Sequence, residues 1–182
     1  MTGCLVAVVG PSGSGKDAVL GWARERLAEA HALFPRRVVT RPAGPGEEHE
    51  PCAPDDFAAR ADRGEFAVRW EAHGLSYGVP ASVARHVADG GVAVVNVSRG
   101  VLPSLADVFG RVRVVRVTVP EEVRRERILA RGREGSAAAE ARLSRPDPAP
   151  DFPVDLEIVN DAALSTAGAR LVALVESLRL PA

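Results

Sequence analysis

Cysteine is scarce: Cys4 and Cys52 are the only two in 182 residues, far apart and without metal-ligand or redox spacing. Neither a disulfide framework nor a zinc site is expected, and a reducing, cytoplasmic setting is. Excess charge is missing too. The formal net charge of -1 removes any general pull toward nucleic acid or an acidic membrane surface. No apolar run approaches the roughly 20 residues that span a bilayer, and no basic segment leads into an apolar one at the start, so membrane insertion and secretion are not expected. Lysine is almost absent. Lys16 stands alone, every other basic residue being arginine.

What remains is 46% hydrophobic and 26% charged, enough to bury one core, so a single domain over residues 1–182 is expected. Strand-like and helix-like runs alternate along it. Strands are predicted at 4–9, 38–39, 66–70, 92–97, 112–119 and 156–159, and helices at 17–30, 55–63, 81–88, 102–109, 121–131 and along the closing stretch through Leu164, Leu171 and Leu178. Residues 42–54, rich in Pro, Gly and Glu, read as a loop. The alternation predicts an α/β fold, a mainly parallel sheet covered by helices on both faces.

Within VAVVGPSGSGKDAV, the run Gly10, Pro11, Ser12, Gly13, Ser14, Gly15, Lys16 fits the G-x-x-x-x-G-K phosphate loop, with a strand before it and a helix after. Glycines let the backbone turn its N–H groups inward around an anion at a positive helix end. Lys16 then reaches the β- and γ-phosphates as a point charge. Asp17 occupies the place where a hydroxyl usually ligates Mg²⁺. A carboxylate there is a hard oxygen donor that suits the same ion; it is equally a negative charge in a helix's first turn, favourable by about 0.3–1 kcal/mol with no metal at all. The loop by itself indicates nucleotide binding and leaves the reaction open.

The runs VVTRPAGPGEEH, DDFAARADRGEF and WEAHGLSYGVP carry in order a Thr-Arg dipeptide, a Pro-Gly-Glu loop, a Gly-Glu-Phe and a Tyr-Gly. They resemble the substrate-binding region of guanylate kinases. ILARGREGSAAAEARL resembles the arginine-bearing lid of that family, and EIVND the strand end beside its bound adenine. The resemblance implies a P-loop kinase with a substrate-binding subdomain at 37–80 and a lid at 131–146, using ATP and Mg²⁺. It also implies that Arg41 and Tyr77 hold acceptor phosphate. Lys16, Arg131 and Arg142 are then the catalytic cations, Arg133 closes with the lid, and Asn160 lies beside the nucleotide. Gly132, Gly135 and Ser136 supply the lid's hinges.

The departures separate this chain from guanylate kinases. Their base-reading glutamate and hydroxyl residue are replaced by Val68 and Val79, and Gly44 stands where the second arginine of the Thr-Arg loop belongs. Valine cannot hydrogen-bond a base edge, and each unpaired base group costs about 1–3 kcal/mol. The acceptor should therefore carry a phosphate and no guanine. Asp17 after the lysine, His49 after Gly-Glu-Glu, WEAHGLSYGVP and VNVSRGVLP are together similar to the ribose 1,5-bisphosphate phosphokinases of phosphonate breakdown. This similarity implies transfer of the ATP γ-phosphoryl group to the 1-phosphate of ribose 1,5-bisphosphate, giving 5-phosphoribosyl diphosphate. The partner is then a phosphorylated sugar, with no nucleic acid and no membrane; oligomeric state is not legible.

A phosphate acceptor is already ionised near neutral pH, so the reaction needs charge compensation and in-line positioning rather than a general base. Arg99 follows a strand's carboxyl end, where such sheets bind ligands, and is either a contact to the second substrate phosphate or solvated surface. Glu71 falls in a motif-matching stretch and is taken with Arg41, Tyr77 and Arg99 as substrate-binding. Arg124, Arg125 and Arg127 read as a solvated helix face, Trp70 as core or pocket wall, and His49 and His73 as structural. A nucleoside monophosphate kinase of altered base choice and a non-enzymatic interaction module stand as alternatives. The two valines oppose the first, and the intact lysine and lid arginines oppose the second.

Overall fold

A computed structural model describes residues 3–27, 32–44, 48–130, 143 and 149–178. Strand β1 (Cys4–Val9) is buried at every position, as a continuous apolar run in the middle of a parallel sheet must be. Its alternation serves two cores. Leu5, Ala7 and Val9 pack with Val83, Val87 and Leu105, whereas Val6 and Val8 pack with Val19, Ala23, Leu171 and Val175 on the other side. Each valine or leucine among them contributes about 1.5–3 kcal/mol on burial. Burial also pushes the Cys4 thiol above its ordinary pKa.

In chain order the remaining elements are α1 (Lys16–Arg26), β2 (Arg37–Val39), β3 (His49–Pro51), α2 (Pro54–Asp62), β4 (Phe66–Ala72), β5 (Leu75–Pro80), α3 (Ala81–Ala88), β6 (Val92–Asn96), α4 (Leu102–Phe109), β7 (Val112–Thr118), α5 (Glu121–Ala130), β8 (Leu156–Val159) and α6 (Leu164–Ser177). The main sheet is parallel throughout, in the order β6-β1-β7-β8. Helices α1 and α6 cover one face, α3 and α4 the other. This is the α/β architecture expected from the sequence.

A second, mixed sheet runs β3-β2-β5-β4. Two of its strands were not expected. His49–Pro51, inside the stretch read as loop, pairs in parallel with β2, and Leu75–Pro80 pairs with both β2 and β4. A three-residue edge strand containing Glu50 and Pro51 has no alternation to betray it, and its pairing is set by β2 alone. His73 and Gly74, with φ of 59° and 71°, form the two-residue corner between β4 and β5, so His73 is a turn residue. The first helix is shorter than predicted: Leu27 is already extended, and α1 stops at Arg26.

The edge of the second sheet is braced by charge. Arg60 on α2 reaches Glu50 of β3 and donates from Nε to Glu65 at 2.9 Å, while Arg63 pairs with the same glutamate. Among the described residues no helix is long and apolar enough to cross a membrane.

Candidate active site

The loop from Gly10 to Lys16 joins β1 to α1, at the carboxyl end of the central strand. Gly15 has φ 80°, and a Cβ there would lie 2.4 Å from Asn160 Nδ2, so both its conformation and its neighbour demand glycine. Asn160, 5% exposed, donates from Nδ2 to the Ser14 carbonyl at 2.9 Å, and its own N–H donates to Thr118 O at 2.8 Å. The predicted nucleotide residue therefore reaches the loop from behind, through a backbone carbonyl. Its grip shapes the loop whose N–H groups would face phosphate.

Arg127 and Arg124 do not behave as a solvated face. Arg127 Nη2 donates to Asn160 O at 3.1 Å, and its buried Nη1 lies 3.4 Å from the position a Gly15 Cβ would take. Arg124 donates to Leu143 O at 2.7 Å and packs over Gly13. The pattern of α5 could not disclose this, because the partners lie elsewhere in the chain; only Arg125 is exposed as expected. Among the described residues Ser14 Oγ and Arg127 Nη1 are buried with no hydrogen-bond partner. Such orphaned groups around an amide-lined loop fit an anionic ligand, and the residues thus suit a nucleotide's phosphates.

Beside the loop a cleft opens between α1, the end of β6 and the β2–β3 side of the second sheet. Asp17 stands at its inner end, its Oδ1 accepting from Asn96 Nδ2 at 2.5 Å. Asn96 ends β6, so the polar group that this strand end offers the cleft is an amide rather than a carboxylate. Among the described residues no three His, Cys, Asp or Glu side chains gather around a metal. One carboxylate beside bound phosphates is nevertheless a donor set that Mg²⁺ accepts.

Arg41 lines the cleft, held by two neighbours. His49, 7% exposed, points Nε2 at the Arg41 carbonyl oxygen at 3.2 Å, which an Nε2–H tautomer satisfies. Thr40 is tied to β5 twice: its N–H donates to Ser76 O at 3.0 Å, and its Oγ1 accepts from Ser76 N at 2.8 Å. This clamp sets Arg41 and Tyr77 on joined strand ends, but Tyr77 is not among the residues lining the cleft. Tyr77 stacks on Trp70 with ring centroids 5.3 Å apart, and the Arg37 guanidinium lies 5.7 Å over the Tyr77 ring. Arg37 was not singled out from the sequence; its signal was position, two residues before the buried Val39 that pairs with Tyr77.

Other expectations are not brought together. Glu71 pairs with Ser76 on the face of β4 opposite Trp70 and Tyr77. Arg99 opens a short 3₁₀ turn after β6 and is not among the residues lining the cleft. Arg131, Arg133 and Arg142, with Gly132, Gly135 and Ser136, lie outside the described residues. Val68 and Val79 face each other across β4 and β5, 7% and 2% exposed, in the same core as Val83, Leu102 and Leu105. Both side chains are packed hydrocarbon.

No protein-family model matches the chain. It is 54% identical over 173 residues to a ribose 1,5-bisphosphate phosphokinase of Pseudofrankia inefficax, covering 95% of this chain and 90% of that one. To the protein of the same name from Methylobacterium radiotolerans it is 45% identical over 174 residues, with 95% and 97% covered. Among solved structures, a guanylate kinase from Anaplasma phagocytophilum superposes with a TM-score of 0.71 at 19% identity, over 99% of this chain and 88% of that one. That likeness concerns the fold.

Proposed function

Because the chain belongs to the ribose 1,5-bisphosphate phosphokinase family, we propose that it transfers the γ-phosphoryl group of ATP to the 1-phosphate of ribose 1,5-bisphosphate, giving 5-phosphoribosyl diphosphate. One observation carries this reading beyond the family name. An arginine-bearing cleft adjoins the phosphate loop while Val68 and Val79 close the base-reading position with core. The arginines of that cleft suit a phosphorylated acceptor, and neither valine offers a polar group to a base.

The residues act by holding charge in place. The loop amides from Gly13 to Lys16 and the Lys16 ammonium grip the β- and γ-phosphates, with Asn160 and Arg127 bracing the loop from behind. ATP, bound there with Mg²⁺, supplies the phosphoryl group and a counter-charge for its oxygens. Asp17, oriented by Asn96, is the carboxylate in reach of that ion. Arg41, Arg37 and Tyr77 hold the acceptor's 1-phosphate, so that its ionised oxygen lies in line and no base is required. To Arg131, Arg133 and Arg142, which lie outside the described residues, the family resemblance gives the role of compensating the charge that spreads onto the transferring oxygens.

The test is direct. Purified protein is given ATP with ribose 1,5-bisphosphate or with GMP, side by side, and product is followed. 5-Phosphoribosyl diphosphate should form and GDP should not; absence of the first at millimolar substrate rejects the proposal. ATP binding that disappears in Lys16→Ala places the donor at the loop.

A further inference from the structure

Helix α1 turns Asp17, Leu20, Gly21 and Arg24 toward the cleft. Their i, i+3, i+4, i+7 spacing is the stripe that a helix normally packs against a core. Leu20 still packs against the core beneath, but at Gly21 the stripe is bare. A Cβ on Gly21 would meet nothing within 4 Å, so a glycine that costs a helix interior about 1 kcal/mol relative to alanine serves no packing neighbour of its own.

Seven residues beyond Asp17, about 10 Å along the axis at 1.5 Å per residue, Arg24 pairs with Glu48 on the segment leading into β3. The two side chains are 41% and 52% exposed, and a pair so placed contributes little to stability, about 0–1 kcal/mol. Arg36 lines the same cleft. The Arg24 guanidinium, held by a single loop carboxylate, is suited to exchanging that carboxylate for another anion.

The proposed acceptor has two phosphates, and only one of them can lie at the transfer point beside Asp17 and Arg41. We propose that Arg24, with Arg36 nearby, binds the second, a phosphomonoester at the far end of the sugar, and that Glu48 occupies Arg24 until this phosphate displaces it, a proposal that rests on the phosphotransfer reading above. Gly21 keeps the floor between the two phosphates clear for the sugar ring. A phosphate monoester brings more charge than a carboxylate and the same bidentate geometry, so it wins the guanidinium. The second-phosphate contact thereby moves from Arg99 to α1.

The experiment titrates full-length wild type, Arg24→Ala, Glu48→Gln and Gly21→Ala with ribose 1,5-bisphosphate, by calorimetry and by turnover with ATP. Arg24→Ala should weaken binding and raise KM about tenfold or more, the loss of a charge-assisted contact. Glu48→Gln should shift both the opposite way by about two- to fivefold, since it removes the competitor. Gly21→Ala should melt higher than wild type yet bind the sugar more weakly. An ion pair that merely braces the fold would move the Arg24 and Glu48 variants in the same direction. That outcome, or a KM for Arg24→Ala within about twofold of wild type, overturns the proposal while leaving wild-type phosphotransfer standing. A wild type that neither binds nor turns over the sugar bisphosphate sinks the functional reading, and the subsite with it.

Discussion

Asn96 Nδ2 donates to Asp17 Oδ1 at 2.5 Å, joining the carboxyl end of β6 to the first turn of α1. An aspartate at position 96 would set a second carboxylate against the first, and two like charges so close cannot both ionise readily. Asparagine is thus the partner that a carboxylate at 17 requires. The acid at this end of the cleft comes from the helix rather than from the strand.

Asp17→Asn keeps the size of the side chain and removes its charge. If Asp17 serves Mg²⁺, the ion concentration giving half-maximal turnover should rise about tenfold, as should that supporting ATP binding, a loss of about 1.4 kcal/mol. Initial rates and ATP titrations across a Mg²⁺ series measure this. Unchanged metal dependence would leave Asp17 only its favourable seat in the first turn.

Val68→Glu restores the residue type by which guanylate kinases read guanine, but at a site now inside the core with Val79, Val83 and Leu105. Burying a carboxylate there should cost about 3 kcal/mol or more and lower the melting temperature by roughly 10 °C. Thermal unfolding followed by circular dichroism reads the loss, and no GMP phosphorylation should appear. A stable variant that turns over GMP would show that the valines border the cleft.

Asn160→Ala deprives the Ser14 carbonyl of its buried donor across 146 residues of chain. A loss of roughly 1–3 kcal/mol in stability is expected. Because the loop is what loosens, KM for ATP should rise several-fold more than KM for the acceptor. Two-substrate kinetics beside thermal melts separate this from general destabilisation, which would not favour one substrate.

Glu65 is held below the usual carboxylate range chiefly by its hydrogen bond from Arg63, with Arg60 adding to it. A pKa depressed in the folded state contributes stability above the unfolded value, near 4.5, and loses it as pH falls through the folded value. Urea midpoints measured at pH 7 and pH 4 should therefore differ less in Glu65→Gln than in wild type. The opposite ordering would mean that the Arg60–Glu65–Arg63 brace does not survive in solution.

Much of this was legible in local pattern. A strand of apolar residues, three glycines, one lysine and a helix identify the phosphate loop because every contact that defines it lies within a few residues. The parallel sheet follows from continuous apolar runs, whereas the missing base reader at 68 and 79 is legible only through the resemblance to guanylate kinases. Period-2 alternation could place Val68 and Trp70 on one face of their strand, but the strand Leu75–Pro80 was not expected, so Tyr77 could not be set beside them. Alternation could not say that the inner part of that face is core and the outer part a ring stack under Arg37.

Residue types and short spacing by themselves determined the nucleotide loop and the fold class, while the kind of acceptor came through resemblance to a known family. Only the tertiary structure decided that Asn160 and Arg127 brace the loop, that Asn96 orients Asp17, and that Arg24 and Arg37 join Arg41 at one cleft. The reason is physical: those relations are contacts between side chains distant in sequence, set by which strands pair and how helices pack over them, and nothing in either partner's immediate neighbourhood encodes the other.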